Sequence, residues 1–180
     1  MKQWKTTKSE IFFQSPWTTF KHNEFEMPNG KQGHYYFVST RGSSMVVPVL
    51  PDGRILLTKQ YRYLVDRESV EFPAGGVKEG QDHEQTAHHE LEEESGYRAG
   101  SLQGIGEYIP MHGVTDEICK VYIARDLTKT KQNLDETEDI GVFVLRPEEI
   151  DVMIRSNGIQ CGMTLAAWVL AKPYVMKPEA

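Results

Sequence analysis

The sequence predicts an α/β fold: a mixed β-sheet sandwiched between helices, with a β-rich appendage at the N-terminus. Three observations carry this expectation. Strand-like runs rich in Val, Ile, Phe, Tyr and Thr occupy the chain as far as Tyr61 and recur from Gly104 onward. One helix with start and stop signals at both ends interrupts them in mid-chain. Two helical segments then follow the last strand, and helices placed between and after strands cover the faces of a sheet. The length of 180 residues suits one domain plus a modest extension. The division expected is an appendage over residues 1–42 and a main domain over 43–180.

In chain order, residues 10–41 are aromatic and β-branched and are interrupted by Met27-Pro28-Asn29-Gly30, so they read as a β-hairpin. Ser44–Leu50 and Arg54–Tyr61 flank Pro51-Asp52-Gly53 and read as a second hairpin opening the main sheet. Phe72-Pro73-Ala74-Gly75-Gly76 reads as a loop. Asp82 then suits an N-cap with Gln85 in the capping-box position, and Ser95-Gly96 suits the end of the helix. Further strands are expected near Gly104–Ile109, Ile118–Ala124 and Ile140–Leu145, and helices over Pro147–Arg155 and Cys161–Ala171, with Pro147 in the first turn.

Composition narrows the function. Twenty Lys and Arg stand against 26 Asp and Glu, a net charge of −6, which argues against phosphate-backbone binding and so against nucleic acid as a partner. Cys119 and Cys161 have neither metal-ligand spacing nor a disulfide framework, and are read as buried thiols in a reducing compartment. The run Ile11-Phe12-Phe13 is too short for a secretory segment, and Met163–Ala171 too short for a membrane span, so a cytoplasmic protein with no membrane partner is expected.

The mid-chain helix carries the chemistry. Glu90, Glu92, Glu93 and Glu94 crowd its C-terminal half, where negative charge opposes the helix dipole and like charges repel. Glu90, Glu93 and Glu94 stand at i, i+3 and i+4 and share one side. Such a field calls for a cation, and carboxylate oxygens suit Mg²⁺ or Mn²⁺. His88 and His89 are neighbours that point to different sides of the helix, which makes them poor joint ligands for zinc. Trp4, Trp17 and Trp168 are candidates to stack a base, or to pack in a core or interface.

From Gly75 the segment GGVKEGQDHEQTAHHELEEESGY resembles the Nudix box, G(x5)E(x7)REUxEExGU with U aliphatic or aromatic. Gly75, Glu90, Leu91, Glu93, Glu94, Gly96 and Tyr97 fall in register. Gln81 stands where that family usually has Glu, and His89 where it usually has an Arg that orients a neighbouring glutamate. Lys59-Gln60-Tyr61-Arg62, Glu71-Phe72-Pro73-Ala74-Gly75 and Tyr108 through Glu117 resemble segments of the ADP-ribose and nucleoside-diphosphate-sugar pyrophosphatase branch. His112 replaces a proline that marks ADP-ribose preference there, so the sugar stays open. Asp135-Glu136-Thr137-Glu138-Asp139 resembles the branch's late catalytic loop.

The resemblance implies a Nudix-type α/β/α sandwich that hydrolyses the pyrophosphate of a nucleoside diphosphate sugar, such as ADP-ribose or GDP-mannose, to a nucleoside monophosphate and a sugar phosphate. It also implies Mg²⁺ as cofactor, with Mn²⁺ able to substitute, and an N-terminal sheet that builds a homodimer. The implied metal ligands are Glu90, Glu94 and the carbonyl of Ala74, with Glu93 completing a cluster or holding the water. Glu138 or Glu136 is the implied general base, and Arg62, Glu71 and Glu117 the implied substrate contacts. The rival readings are a hydrolase of NADH or dinucleoside polyphosphates, and a Nudix-like module that senses ADP-ribose without cleaving it.

Overall fold

A computed structural model describes residues 3–16 and 18–176 of the chain; the sequence reading of Trp17 lies outside them. In order the elements are β1 (Lys5–Gln14), β2 (Thr19–Glu26), β3 (Gln32–Ser39), β4 (Ser43–Pro48), β5 (Ile55–Arg62), β6 (Arg67–Glu71), β7 (Ala74–Gly76), α1 (His83–Ser95), β8 (Tyr97–Arg98), β9 (Ser101–Tyr108), β10 (Cys119–Arg125), β11 (Thr128–Lys129), β12 (Ile140–Leu145), α2 (Pro147–Arg155) and α3 (Gly162–Val175). The central sheet runs β7-β4-β10-β9. Its β4–β10 pair is parallel and its other pairs are antiparallel, which makes the sheet mixed.

Both faces of that sheet are covered, and the residues of β4 show it by alternation. Met45 and Val47 join Leu57, Phe72, Val121, Ile150 and Trp168 in a core on the side of α2 and α3, whereas Val46 packs with Ala87 and Leu91 of α1. A strand apolar on both sides reads as a continuous hydrophobic run, as Met45-Val46-Val47 does. The indole of Trp168 donates to Asp151 Oδ1 at 2.8 Å, so this ring is core and not a base platform. Trp4 stacks on Phe25 with ring centroids 4.9 Å apart.

Several expectations need correction. The turn at Pro51-Asp52-Gly53 exists, closed by the Val49–Ile55 bridge and by the Leu50 N–H donating to Arg54 O at 2.9 Å, but β4 and β5 then enter different sheets, β5 pairing with β6 and β12. Both strands need partners on each side, which a two-stranded hairpin does not supply. The appendage is a three-stranded sheet β1-β2-β3: the hairpin at residues 27–30 is present, and β1 pairs with β2 from Lys5. Within the segment read as a loop, Ala74–Gly76 forms the short edge strand β7 against Met45–Ser43. Helix α3 runs through Pro173 to Val175. A proline that close to the C-terminus removes one helical hydrogen bond, and the Val169 carbonyl it orphans lies on an exposed residue. Cys161 is half-buried, and only Cys119 is enclosed. No helix among the described residues is long and apolar enough to cross a membrane.

Candidate active site

Helix α1 begins where the sequence says it should. The Asp82 side chain accepts from the Gln85 N–H at 2.8 Å, and the Gln85 side chain accepts from the Asp82 N–H at 3.0 Å. Gly96 ends the helix at φ +69°, a conformation that costs glycine little. The buried side of α1 is Thr86, Ala87, Glu90, Leu91, Glu94 and Ser95, so it carries two carboxylates only 9% and 6% exposed. Burial, first of all, pushes Glu90 up to about 7; Lys78 pulls the other way, and Glu93, Glu138 and Asp135 add to the rise. Burial and then the charge of Glu90 push Glu94 up to about 8, although its Oε2 accepts the Ala74 N–H at 3.1 Å. Two buried like charges with so little cationic compensation are costly in the ionised form.

Gly75 makes the arrangement possible. A Cβ there would lie 2.2 Å from Glu90 Cδ, so glycine is required for close approach. Gly75→Ala is therefore expected to displace the flexible carboxylate and leave the backbone standing. We expect kcat/KM to fall by ~100-fold, the scale of an ångström's misplacement at a reacting centre, with near-normal thermal stability; steady-state kinetics and thermal melts check it.

Around this pair lie further charges. Lys78 Nζ is 3.5 Å from Glu93 Oε2. Partial burial works against the Lys78 charge, but Glu90 and Glu93 outweigh it and hold the ammonium above its usual pKa. The segment after β11 is tied to the end of α1: the Asn133 N–H donates to Glu93 O at 3.0 Å and Gln132 Nε2 to Glu94 O at 2.6 Å. It continues to Asp135, whose N–H donates to Glu138 Oε2 at 3.0 Å. The Glu138 charge adds to the upward push on both Glu90 and Glu94. Glu136 is exposed on the same loop. Among the described residues, no three His, Cys, Asp or Glu side chains converge closely enough to cage a metal unaided. Uncompensated carboxylates repel, and Glu93 turns to Lys78.

A cleft of about 700 Å³ adjoins this cluster and has Ala74, Gly75 and Gly76 in its wall. Arg62 and Glu71 line it as a bidentate ion pair, with Nε to Oε1 at 2.8 Å and Nη2 to Oε2 at 2.5 Å. Glu71 is 5% exposed, and although burial raises its pKa, the Arg62 guanidinium overrides this and leaves it below its usual value. Its oxygens are thus committed to Arg62, which fixes the guanidinium at the cleft wall. Glu117 also lines the cleft and accepts the Ser43 hydroxyl through Oε1 at 2.5 Å. The appendage also contributes to the lining, including Gln14, Thr19 and Lys21. Its strand β3 is bound to the loop before β10: the Val38 N–H donates to Val114 O at 2.9 Å, and Asp116 accepts from the Ser39 hydroxyl at 2.8 Å and the Thr40 N–H at 2.7 Å.

Of the residues expected from sequence, Ala74, Glu90 and Glu94 come into one cluster with Glu93 and Glu138 at its rim. Arg62, Glu71 and Glu117 lie in the adjoining cleft. Lys78, Lys21 and Arg41 were missed. Lys78 sits inside the motif segment, and a cation among so many carboxylates was a usable signal; the cleft positions of Lys21 and Arg41 arise from long-range packing that no local pattern encodes.

The NUDIX domain family model matches residues 39–160. The chain is 33% identical over 165 residues to "ADP-ribose pyrophosphatase" of Bacillus subtilis (strain 168), covering 91% of this chain and 89% of that one. It is 31% identical over 179 residues to "Methanol dehydrogenase activator" of Bacillus methanolicus, covering 98% and 94%. Among solved structures, "Crystal structure of ADP compounds hydrolase" superposes with a TM-score of 0.84 at 19% identity over 97% of this chain and 95% of that one, a likeness of fold.

Proposed function

The chain belongs to the NUDIX family, and we propose that it is a pyrophosphohydrolase that cleaves a nucleoside diphosphate sugar of the ADP-ribose type to a nucleoside monophosphate and a sugar phosphate. The observation that carries the reading is the buried pair Glu90 and Glu94, set against Gly75 at the wall of a cleft that also holds Arg62. The Bacillus subtilis relative named above supports the substrate class.

The donor set fits a divalent metal. Two buried carboxylates with raised pKa values, beside a glycine that leaves them room, make an all-oxygen site suited to Mg²⁺, with Mn²⁺ as substitute. Glu90, Glu94 and the Ala74 carbonyl would hold the ion, with Glu93 available to complete the set. When bound, the metal supplies charge neutralisation at phosphate oxygens and acidifies water. The protein's own residues do the rest. Arg62, held by Glu71, grips a phosphate by two parallel N–H donors. Lys21 and Arg41 line the same cleft and add positive charge where the diphosphate lies. Glu138, or Glu136 beside it, takes a proton from the attacking water as its oxygen bonds to phosphorus, and the bridging P–O bond breaks toward the departing phosphate. Incubation with Mg²⁺ and ADP-ribose should release AMP and ribose 5-phosphate; a panel adding GDP-mannose, UDP-glucose, ADP-glucose and NADH ranks the sugars, and no cleavage of any of them refutes the reading.

Activity lost to EDTA is expected to return with Mg²⁺ or Mn²⁺ and not with Zn²⁺, because the proposed ligands are hard oxygens; recovery with Zn²⁺ alone refutes the ligand set. The division into an appendage over 1–42 and a catalytic domain over 43–180 is part of the proposal, as is a homodimer formed through the appendage in the cytoplasm. Edge strand β1 is exposed along all ten residues, and Trp4, Ile11, Phe12 and Phe13 are each more than half exposed, an edge that invites a second copy. Light scattering at micromolar concentration is expected to return twice the chain mass of 20.6 kDa.

A further inference from the structure

Beside the catalytic cleft, a second cavity of about 600 Å³ is lined by β6 and by the loop that joins α2 to α3. Its volume is that of a small-molecule site. Strand alternation puts Arg67, Ser69 and Glu71 of β6 on one face, and all three line the cavity, with Asn157, Gln160 and Cys161 contributed by the loop. Glu71 also lines the catalytic cleft, so the two cavities share the wall that its ion pair with Arg62 forms.

The charges of the second cavity do not balance. Arg67 stands directly opposite Arg62 in the β5–β6 register, and like charges so placed destabilise a sheet unless each is neutralised. Glu71 neutralises Arg62. Glu68, the other carboxylate of the lining, is taken by Lys59 Nζ at 2.9 Å. Arg67 is left with neutral acceptors: its Nε donates to Val65 O at 3.2 Å and its Nη1 to Gln160 Oε1 at 3.0 Å, and among the described residues no carboxylate forms an ion pair with it. Those two bonds orient the guanidinium while its other N–H groups remain available. In a chain of net charge −6, an oriented excess cation at the wall of a cavity is a local exception that selects for an anion. We propose that this cavity is a second ligand site that takes a phosphate monoester, its oxygens accepting from Arg67 while the side-chain amides of Asn157 and Gln160 offer donors to the hydroxyls of an attached sugar. The site requires neither metal nor turnover. Both products of the proposed reaction, a nucleoside monophosphate and a sugar phosphate, are phosphate monoesters, and only in naming them as occupants does the inference rest on that reading.

The test is an NMR titration of the uniformly ¹⁵N-labelled full chain in EDTA, with ribose 5-phosphate and AMP in parallel and ribose as the control. At least one of the two phosphates is expected to shift the amide signals of Asn157, Gly158 and Gln160 in a saturable way, and ribose is not; whichever does so is the product the cavity takes. Arg67→Gln is expected to weaken that binding ~10- to 100-fold, the worth of a charge-assisted hydrogen bond. Gln160→Ala removes an acceptor that orients the guanidinium and should weaken it by a smaller factor, with thermal melts confirming that each variant is folded. Shifts confined to the cleft residues Gly75 and Gly76, equal saturation by ribose, or unchanged affinity in Arg67→Gln overturns the site. A chain that cleaves no diphosphate sugar refutes the proposed function and leaves this metal-free binding standing, whereas absence of binding here overturns this inference alone.

Discussion

Glu94→Gln is expected to abolish metal binding and turnover together while leaving the metal-free fold intact. Glutamine keeps the shape and still offers an oxygen to the Ala74 N–H, which reaches Glu94 Oε2 at 3.1 Å, so the strand-to-helix contact survives. What disappears is a charged ligand. The metal-free protein provides the control through pH. Burial and the neighbouring Glu90 raise Glu94 to about 8 from the ordinary 4.5, so between those values the folded state binds more protons than the unfolded state, and stability falls as pH rises. Glutamine has no such proton. In EDTA, the variant should match the wild type near pH 4.5 and exceed it progressively through pH 8, while in Mg²⁺ it loses activity at every pH. Thermal melts across that range, paired with Mg²⁺ calorimetry, check both halves. A variant less stable than wild type at pH 8 in EDTA would show that the carboxylate is structural.

The parts of the fold that sequence revealed are those with local causes. Helix α1 is bounded by a capping box at Asp82 and Gln85 and by the left-handed Gly96, all short-range signals, and it runs His83–Ser95 as those signals require. Pro147 opens α2 for the same reason. The separation of β4 from β5 is a different matter. The turn between them is local, but which sheet each strand enters depends on β10, which pairs with β4 from more than seventy residues away. The site divides in the same way. Glu90, Glu93 and Glu94 were legible because helical spacing places them on one side. Spacing alone did not tell that Glu90 and Glu94 are buried while Glu93 turns outward to Lys78, nor that Glu71 is committed to Arg62. Those outcomes follow from where the β7 edge and the cleft wall meet the helix.

The late loop gives the sharpest separation of roles. Replacing Glu138 by Gln preserves an acceptor for the Asp135 N–H, which bonds Glu138 Oε2 at 3.0 Å, so the turn should hold. The proposed metal ligands are untouched, and the loss of one exposed negative charge that raises the pKa of Glu90 and Glu94 alters their field without removing a ligand. Mg²⁺ affinity is therefore expected to change little. If Glu138 only takes a proton from the attacking water, its loss lowers kcat by ~10²- to 10⁴-fold, the contribution of a general base. KM should remain near its original value, because the interaction exists only in the transition state. Glu136 stands two residues away on the same exposed loop; if it shares the role, a partial loss in Glu138→Gln should deepen when Glu136→Gln is added. Calorimetric Mg²⁺ titration and steady-state kinetics on the two single variants and the double variant decide the matter. Near-normal turnover by the double variant refutes the loop as the source of the base and returns that role to Glu93, whose carboxylate then must leave Lys78 to meet the water.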